Sequence, residues 1–234
     1  MTARWSMALV GVSVVLGACA DGSGSYTNAE LDTNDQKASY AIGLNVGGQI
    51  ADTRDRLDRL AFLRGVEDAM SSNDPVIARE ELQTVLQTFG QEIEAAAAEA
   101  RAVEAESNAA DGEAYLAENA AREGVTTTES GLQYEVLREG DGAAPTAEDE
   151  VRLHYRGTLV DGTEFDSSYD GDPVVFAAGR LIPGFTEALL LMQEGSHYRI
   201  AIPSEIGYGP NGSGGVIGPN ATLIFEIELF EVVE

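Results

Sequence analysis

Hydrophobic residues recur every third or fourth position in the first half of the chain and every second position in the second half. Up to about residue 120 the apolar side chains follow helical spacing, and from about residue 124 they alternate with polar ones as strands do. Turn residues separate the alternating runs. The pattern predicts an α+β protein with an all-α N-terminal region and a strand-rich C-terminal region.

The first predicted helix starts at Thr33, which has capping-box spacing with Gln36. Apolar side chains follow at helical spacing: Ala38, Ile42, Val46 and Ile50. Gly43 and Gly47 lie four apart on a neighbouring stripe. A glycine inside a helix costs about 1 kcal/mol relative to alanine. The pair indicates either the close approach of a second helix or local flexibility.

A second short helix is predicted from Asp58, its N-cap, to Met70. Asp74-Pro75 is predicted to open a third helix that continues to about Asn119 and is roughly 65 Å long. Its apolar positions form a heptad seam: Leu82, Leu86, Phe89, Ile93, Ala96, Ala100 and Val103. This helix is predicted to be a strut that cannot bury itself, with self-association through its N-terminal end.

The C-terminal region is predicted to form an antiparallel sheet around one short helix. Val151, Leu153 and Tyr155 share the apolar face of one strand, and Asp161-Gly162 forms a hairpin turn. The remaining predicted elements are strands at Gly131–Leu137 and around Tyr198 to Ile202, a helix at Phe185–Met192 and a final strand at Leu223–Leu229.

The net charge of the chain restricts the partners that it could bind. The chain has 14 basic and 40 acidic residues, a formal net charge of −26, and Lys37 is its only lysine. Such a surface repels phosphate backbones and anionic lipids, which argues against nucleic-acid binding. The acidity fits simple solubility better than adaptation to a salty habitat.

The N-terminal residues resemble an export signal. Residues 1–18 carry Arg4 and a short apolar run, and Leu16-Gly17-Ala18-Cys19 resembles a bacterial lipobox in which Cys19 is lipidated. The alternative is an ordinary signal peptide with a coincidental cysteine. Ala20 follows the cysteine, which resembles lipoproteins that are sorted to the outer membrane. The protein would then face the periplasm or the cell surface. Residues 19–30 then form a flexible tether.

Other site chemistries fit the sequence poorly. The run from Gly207 to Gly212 matches G-x-G-x-x-G, but more glycines follow where a dinucleotide site needs a helix. His154 and His197 are the only histidines, and a surface role is favoured over metal ligation or base catalysis. Asp166 with Glu164 or Asp170 is better explained as a solvated hairpin end than as a catalytic carboxylate pair.

Several motifs in order resemble the FKBP-type peptidyl-prolyl cis–trans isomerases over about residues 124–234. They are His154–Leu159, Asp161–Ser168, Leu181–Phe185, Gly207–Gly209 and Pro219–Phe225. The helical half resembles the dimerisation region of the two-domain macrophage-infectivity-potentiator-like and periplasmic Gram-negative members. The resemblance implies a helical dimerisation domain at 31–120, including the long helix, and an isomerase domain at 121–234.

The family resemblance also implies the site residues. Asp166, Tyr208 and Ile182 would be catalytic, and the substrate-binding residues would be Tyr155, Phe165, Phe176, Phe185, Val216, Ile217 and Phe225. Read without the family, each aromatic residue is an ordinary core residue. Phe185 stands where the family usually has tryptophan at the pocket floor, which implies a deeper pocket. No cofactor and no metal is implied.

The resemblance further implies unfolded or proline-containing client proteins, a homodimer and a lipid anchor. The predicted function is a peptidyl-prolyl isomerase that accelerates the folding of exported proteins, with chaperone activity. The alternative is a non-catalytic, chaperone-like module that only binds clients.

Overall fold

A computed structural model describes residues 29–233 of the chain. Its contacts divide the chain into two compact units, one ending at Val76 and the other beginning at Ile77. The signal peptide, Cys19 and most of the predicted tether lie outside the described residues. Within those residues, no helix has both the length and the apolar character needed to cross a bilayer.

The first unit contains helix α1 (Asn34–Gln49), a short 3₁₀ turn (Ala51–Thr53) and helix α2 (Arg59–Met70). The predicted capping box is confirmed, because Thr33 accepts a hydrogen bond from the Gln36 N–H and Gln36 reaches back to the Thr33 N–H. Asp58 caps α2 through the Ala61 N–H, as predicted. Neither helix has a buried residue in the structure as described.

Helix α3 (Arg79–Ala120) opens the second unit and has 42 residues, so it is about 63 Å long. The predicted start at Asp74-Pro75 is wrong, because residues 74–78 are not helical. The helix instead begins after Ala78, which makes no side-chain cap. Glu80 and Glu81 place negative charge in the first turn, where the helix dipole favours it.

The C-terminal third of α3 is not a free strut, contrary to the prediction. Gly112 and Asn119 are buried there. Gly112 lacks a Cβ, so the helix backbone can approach Thr222 closely. This face carries small and polar residues rather than an apolar stripe, which is why hydrophobic spacing did not reveal it.

A seven-stranded antiparallel sheet follows. Its strands are β1 (Val125–Thr127), β2 (Gln133–Arg138), β3 (Glu150–Leu159), β4 (Glu164–Ser167), β5 (Val174–Ala177), β6 (His197–Ile202) and β7 (Leu223–Val233). The strand order is β1-β2-β6-β7-β3-β4, and β5 also pairs with β3. The short edge strands β1 and β5 were not predicted.

The core lies between one face of the sheet and helix α4 (Pro183–Leu191). The predicted apolar face of β7 is buried: Leu223, Phe225, Ile227 and Leu229. From α4, Phe185, Ala188 and Leu189 are buried against it. Each large buried side chain contributes about 1.5–3 kcal/mol. The predicted α+β fold, with a sheet wrapped on one short helix, is confirmed.

Ion pairs cover the other face of the sheet. Glu226 on β7 lies 2.7 Å from Arg199 and 3.3 Å from Arg156, and Arg152 lies 2.7 Å from Glu231. The hydrogen bond from Arg199 holds the pKa of Glu226 below its usual range. Most arginines of this face are therefore paired across strands rather than offered to an anionic partner.

Candidate active site

Five aromatic rings from five elements meet beside the core. This ring cluster consists of Tyr155 on β3, Phe165 on β4, Phe176 on β5, Phe185 on α4 and Phe225 on β7. The centroid distances are 5.7 Å from Tyr155 to Phe176, 6.3 Å from Tyr155 to Phe185, 5.5 Å from Phe165 to Phe225 and 5.0 Å from Phe185 to Phe225. Their mostly edge-to-face geometry is one that aromatic pairs favour.

The rings of the cluster are buried to different extents. Phe185 and Phe225 are buried, whereas Tyr155, Phe165 and Phe176 are half-buried. The cluster therefore has a closed base and a partly open upper edge. Phe185 is held there by the first turn of α4, since the Ile182 carbonyl accepts hydrogen bonds from the Phe185 and Thr186 N–H groups at 3.0 Å each.

Gly157 on β3 leaves the space that two of these rings occupy. A Cβ on Gly157 would lie 2.6 Å from Phe165 ring atoms and 2.8 Å from a Phe225 ring atom. Real Cβ atoms essentially never approach so closely, so any larger residue would displace the rings. The glycine inside the His154–Leu159 motif thus has a packing reason.

A hydrogen bond joins the ring cluster to a carboxylate. The Tyr155 hydroxyl donates to Asp166 Oδ2 at 2.6 Å. Burial, and then the hydrogen bond and charge of Asp166, raise the pKa of Tyr155, and Tyr208 contributes to the same rise. Tyr155 therefore remains a protonated donor at neutral pH. Asp166 itself is solvent-exposed.

Ser168, the last residue of the Asp161–Ser168 motif, has a structural role that no sequence pattern indicates. It is buried, and its hydroxyl accepts a hydrogen bond from the Tyr155 N–H at 2.9 Å. The same hydroxyl lies 2.9 Å from His154 Nδ1, and the His154 ring stacks on Tyr169. His154 is thus a structural partner at the hairpin end and stands beside, not within, the ring cluster.

The other predicted site residues lie on the segments next to the cluster. Ile182 packs against the core, and Ile217 is buried in it. Tyr208 and Val216 are exposed, with 40% and 52% of their surface accessible. The structure thus brings the five rings, Ile182 and Ile217 together on one core, and it leaves Tyr208 and Val216 at the surface.

The glycine-rich segment forms a closed loop. Ser213 and Ile217 exchange two backbone hydrogen bonds of 2.8 and 3.1 Å, and the Asn220 N–H donates to the Gly209 carbonyl at 2.9 Å. Gly212 has a φ of 62°, and a Cβ there would overlap the Ile217 carbonyl. No helix follows Gly212 in this described part of the chain, so the G-x-G-x-x-G match is not a dinucleotide site.

Comparison with known proteins gives the family. The model for the "Domain amino terminal to FKBP-type peptidyl-prolyl isomerase" matches residues 35–136, and that for "FKBP-type peptidyl-prolyl cis-trans isomerase" matches residues 142–230. The FKBP-type 22 kDa peptidyl-prolyl cis-trans isomerase of Escherichia coli is 42% identical over 209 residues, which cover 88% of this chain and all of that protein. The chain belongs to the FKBP family.

Other FKBP relatives agree. FkpA of Aeromonas hydrophila is 42% identical over 215 residues, covering 87% of this chain and 78% of that protein. The outer membrane protein MIP of Legionella longbeachae is 36% identical over 203 residues, covering 86% of this chain and 87% of that one. The crystal structure of FkpA from E. coli matches with a TM-score of 0.66 at 35% identity, covering 87% of this chain and 99% of that chain.

The resemblance drawn from the motifs is therefore confirmed. As an FKBP-type enzyme, the chain is a peptidyl-prolyl cis–trans isomerase.

Proposed function

We propose that isomerisation takes place over the ring cluster and serves the folding of exported proteins. Asp166, Tyr208 and Ile182 act on the reacting segment, and the rings with Val216 and Ile217 bind the residues around the proline. The observation that carries this assignment is the convergence of five aromatic rings with the Tyr155–Asp166 hydrogen bond at their open edge.

The physical basis is the amide bond. Rotation about it faces a barrier of about 18–20 kcal/mol because resonance makes the bond partly double. A planar amide is more dipolar than a twisted one, so an apolar surface penalises the planar ground state more. Donors that fit the rotated carbonyl stabilise the transition state further. Shape, dryness and a few donors suffice for this reaction.

The residues have distinct parts in this scheme. The buried rings of Phe185 and Phe225 form the apolar floor. The Ile182 N–H and the exposed Tyr208 hydroxyl bind substrate carbonyls. Asp166 fixes the Tyr155 hydroxyl, and its charge faces the twisting amide. None of these steps transfers a proton to the substrate.

Asp166→Asn tests the assignment, since it keeps the shape and removes the charge. We expect kcat/KM on a short proline peptide to fall about tenfold or more, because the interaction acts on the rotated amide. Asp170→Asn, an exposed carboxylate near the same hairpin, is the matched control. Equal activity of the two variants would move the reaction away from Asp166.

Export and lipidation complete the proposal. Cys19 is the proposed lipid attachment point, and one relative is an outer membrane protein by name. Cys19→Ser should give a protein that is neither lipidated nor recovered with membranes. Membrane recovery of that variant at the wild-type level would contradict the lipobox interpretation.

We also propose a homodimer formed through the helical region. Ile42 is 64% exposed on one side of α1, and Leu44 is 58% exposed on the other. Exposed large apolar side chains on two sides of one helix favour a partner that covers them. A Cβ on Gly43 or Gly47 would meet nothing within 4 Å, so room for a second helix exists there. Chaperone activity would follow from two isomerase domains that bind one client.

Charged substitutions in α1 test whether this helix forms the dimer interface. Ile42→Glu with Val46→Glu would bury unpaired carboxylates and should give a monomer by light scattering. Lys37→Glu, on another side of α1, changes the net charge by the same two units and should stay dimeric. Peptide isomerisation should survive in the monomer, while catalysis of protein folding should fall. A wild-type chain that is monomeric at micromolar concentration would refute the dimer.

A further inference from the structure

The loop that carries Ile217 contacts α3 as well as its own domain core. This loop, residues 209–222, is closed by the Asn220–Gly209 hydrogen bond of 2.9 Å. On the α3 side, Asn108 Nδ2 donates to the Pro219 carbonyl at 2.9 Å, across 111 residues of sequence. The helix is therefore hydrogen-bonded to the backbone of the loop segment that links Ile217 to β7.

Two glycines allow this contact. A Cβ on Gly218 would overlap Glu104 Oε1 and lie 2.7 Å from Asn108 Nδ2. A Cβ on Gly112 would overlap Thr222 Oγ1 and lie 3.2 Å from Thr222 Cβ. Each glycine therefore leaves room for side chains of the opposite element: Glu104 and Asn108 of the helix lie against Gly218, and Thr222 of the loop lies against Gly112.

The contact is narrow. A cavity of about 500 Å³ lies on one side of α3, lined by Tyr115 and Leu159 among others, and one of about 630 Å³ lies on the other side, lined by Glu113 and Pro203. Thr222 borders both cavities. Only a strip of contacts remains between the two cavities, so each of these contacts helps to determine where the loop lies against α3.

A second, separate contact holds α3 to the sheet. Asn119 Nδ2 donates to Gln133 Oε1 at 2.8 Å, and Gln133 Nε2 donates to the Leu116 carbonyl at 2.9 Å. The loop keeps a second, longer bond to the helix, from Asn220 Nδ2 to the Ala105 carbonyl at 3.4 Å. Loss of the Asn108 contact would therefore loosen the loop without releasing the helix.

We propose that Asn108 and Gly112 are positioning residues for the isomerase reaction. They set the place of the 209–222 loop, and through it the place of Ile217 over the substrate. The inference rests on the proposed site, in which Ile217 binds the residues that flank the proline. Such binding is shared by ground state and transition state, so loss of position should appear in KM rather than in kcat.

Asn108→Ala in the full chain is the first test, with Glu106→Ala, an exposed position on the same helix, as control. We expect KM for a proline peptide to rise about two- to tenfold, the range of one lost hydrogen bond, with kcat changed less than about twofold. Amide exchange at Ile217, whose N–H bonds the Ser213 carbonyl, should accelerate. An unchanged KM, or kcat and stability falling together, would overturn the proposal.

A double-mutant cycle is the second test. Gly112→Ala should raise KM because the new methyl group collides with Thr222 Oγ1. Adding Thr222→Ala removes that atom and should restore most of the loss, so the two changes should not be additive. Additive effects would show that Gly112 does not act through Thr222 and would overturn its role.

Failure of this inference can be told from failure of the proposed site. If Asp166→Asn lowers kcat/KM while Asn108→Ala leaves KM and Ile217 exchange unchanged, only the positioning role is wrong. If Ile217 exchange accelerates and KM stays constant, α3 holds the loop but the loop does not bind substrate, which overturns the positioning role.

Discussion

Truncating Asn119 to alanine tests whether polar contacts fix the end of α3 to the sheet. Asn119 is 7% exposed and Gln133 is 5% exposed, and the two share a hydrogen bond of 2.8 Å. Asn119 Oδ1 also accepts from Arg122 Nη1 at 2.8 Å. The substitution removes both bonds while leaving the helix backbone intact, since alanine is a good helix former.

The expected cost follows from what remains behind. Gln133 Oε1 becomes a buried acceptor without its donor, which costs about 1–3 kcal/mol. The lost bond to Arg122 adds less, because the Arg122 side chain is 42% exposed and keeps Glu135 as its partner at 2.9 Å. We expect Asn119→Ala to lower the free energy of unfolding by about 2–4 kcal/mol.

Urea denaturation, followed by circular dichroism and tyrosine fluorescence, measures this loss. Asn119→Leu with Gln133→Met is the informative control, because replacing both polar partners by apolar groups is close to neutral. We expect the double variant to be more stable than Asn119→Ala. A loss below about 0.5 kcal/mol for Asn119→Ala, or a double variant that is less stable still, would refute the reasoning.

Three further outcomes are expected. Arg199 lowers the pKa of Glu226 in the folded protein, so Glu226 contributes stability above its unfolded pKa, and this stability is lost as the pH falls through the folded pKa. In Glu226→Gln the melting temperature should therefore depend less on pH between about pH 5 and pH 3. Gly157→Ala should displace the Phe165 and Phe225 rings and lower kcat/KM, seen as shifted aromatic NMR signals with the fold retained. Phe185→Trp should enlarge the apolar floor of the proposed site and lower KM for a short proline peptide, with binding followed by the fluorescence of the new indole.

The parts of the fold that bury one face against one core were predictable from the sequence. In β7 the buried residues Phe225, Ile227 and Leu229 alternate with glutamates. This alternation indicates the strand and its buried face, because a one-residue slip would expose the whole apolar face. The capping box of α1 is equally local. The start of α3 was misplaced because an acidic residue before a proline fits a helix start, while the stabilising charges lie at Glu80 and Glu81.

The site was predictable in part for the same reason. The aromatic residues stand out by type, but their convergence depends on five elements that are distant in sequence. The Asn108–Pro219 bond joins residues 111 apart and involves no apolar periodicity, so no local pattern indicates it. The role of Ser168 depends on the fold, which brings its hydroxyl to the Tyr155 N–H of another strand.

The spacing of the α3 contacts limits how the helix length can vary. Asn108 and Asn119 are eleven positions apart, and at about 100° per residue they lie within about 20° of the same angular position after three turns. One residue inserted between them would rotate one contact about 100° away from its partner. Insertions before Glu104 would leave both contacts in place. Changes in helix length should therefore be tolerated upstream of Glu104, whereas any insertion between Asn108 and Asn119 would break one contact, since even a whole turn adds about 5.4 Å.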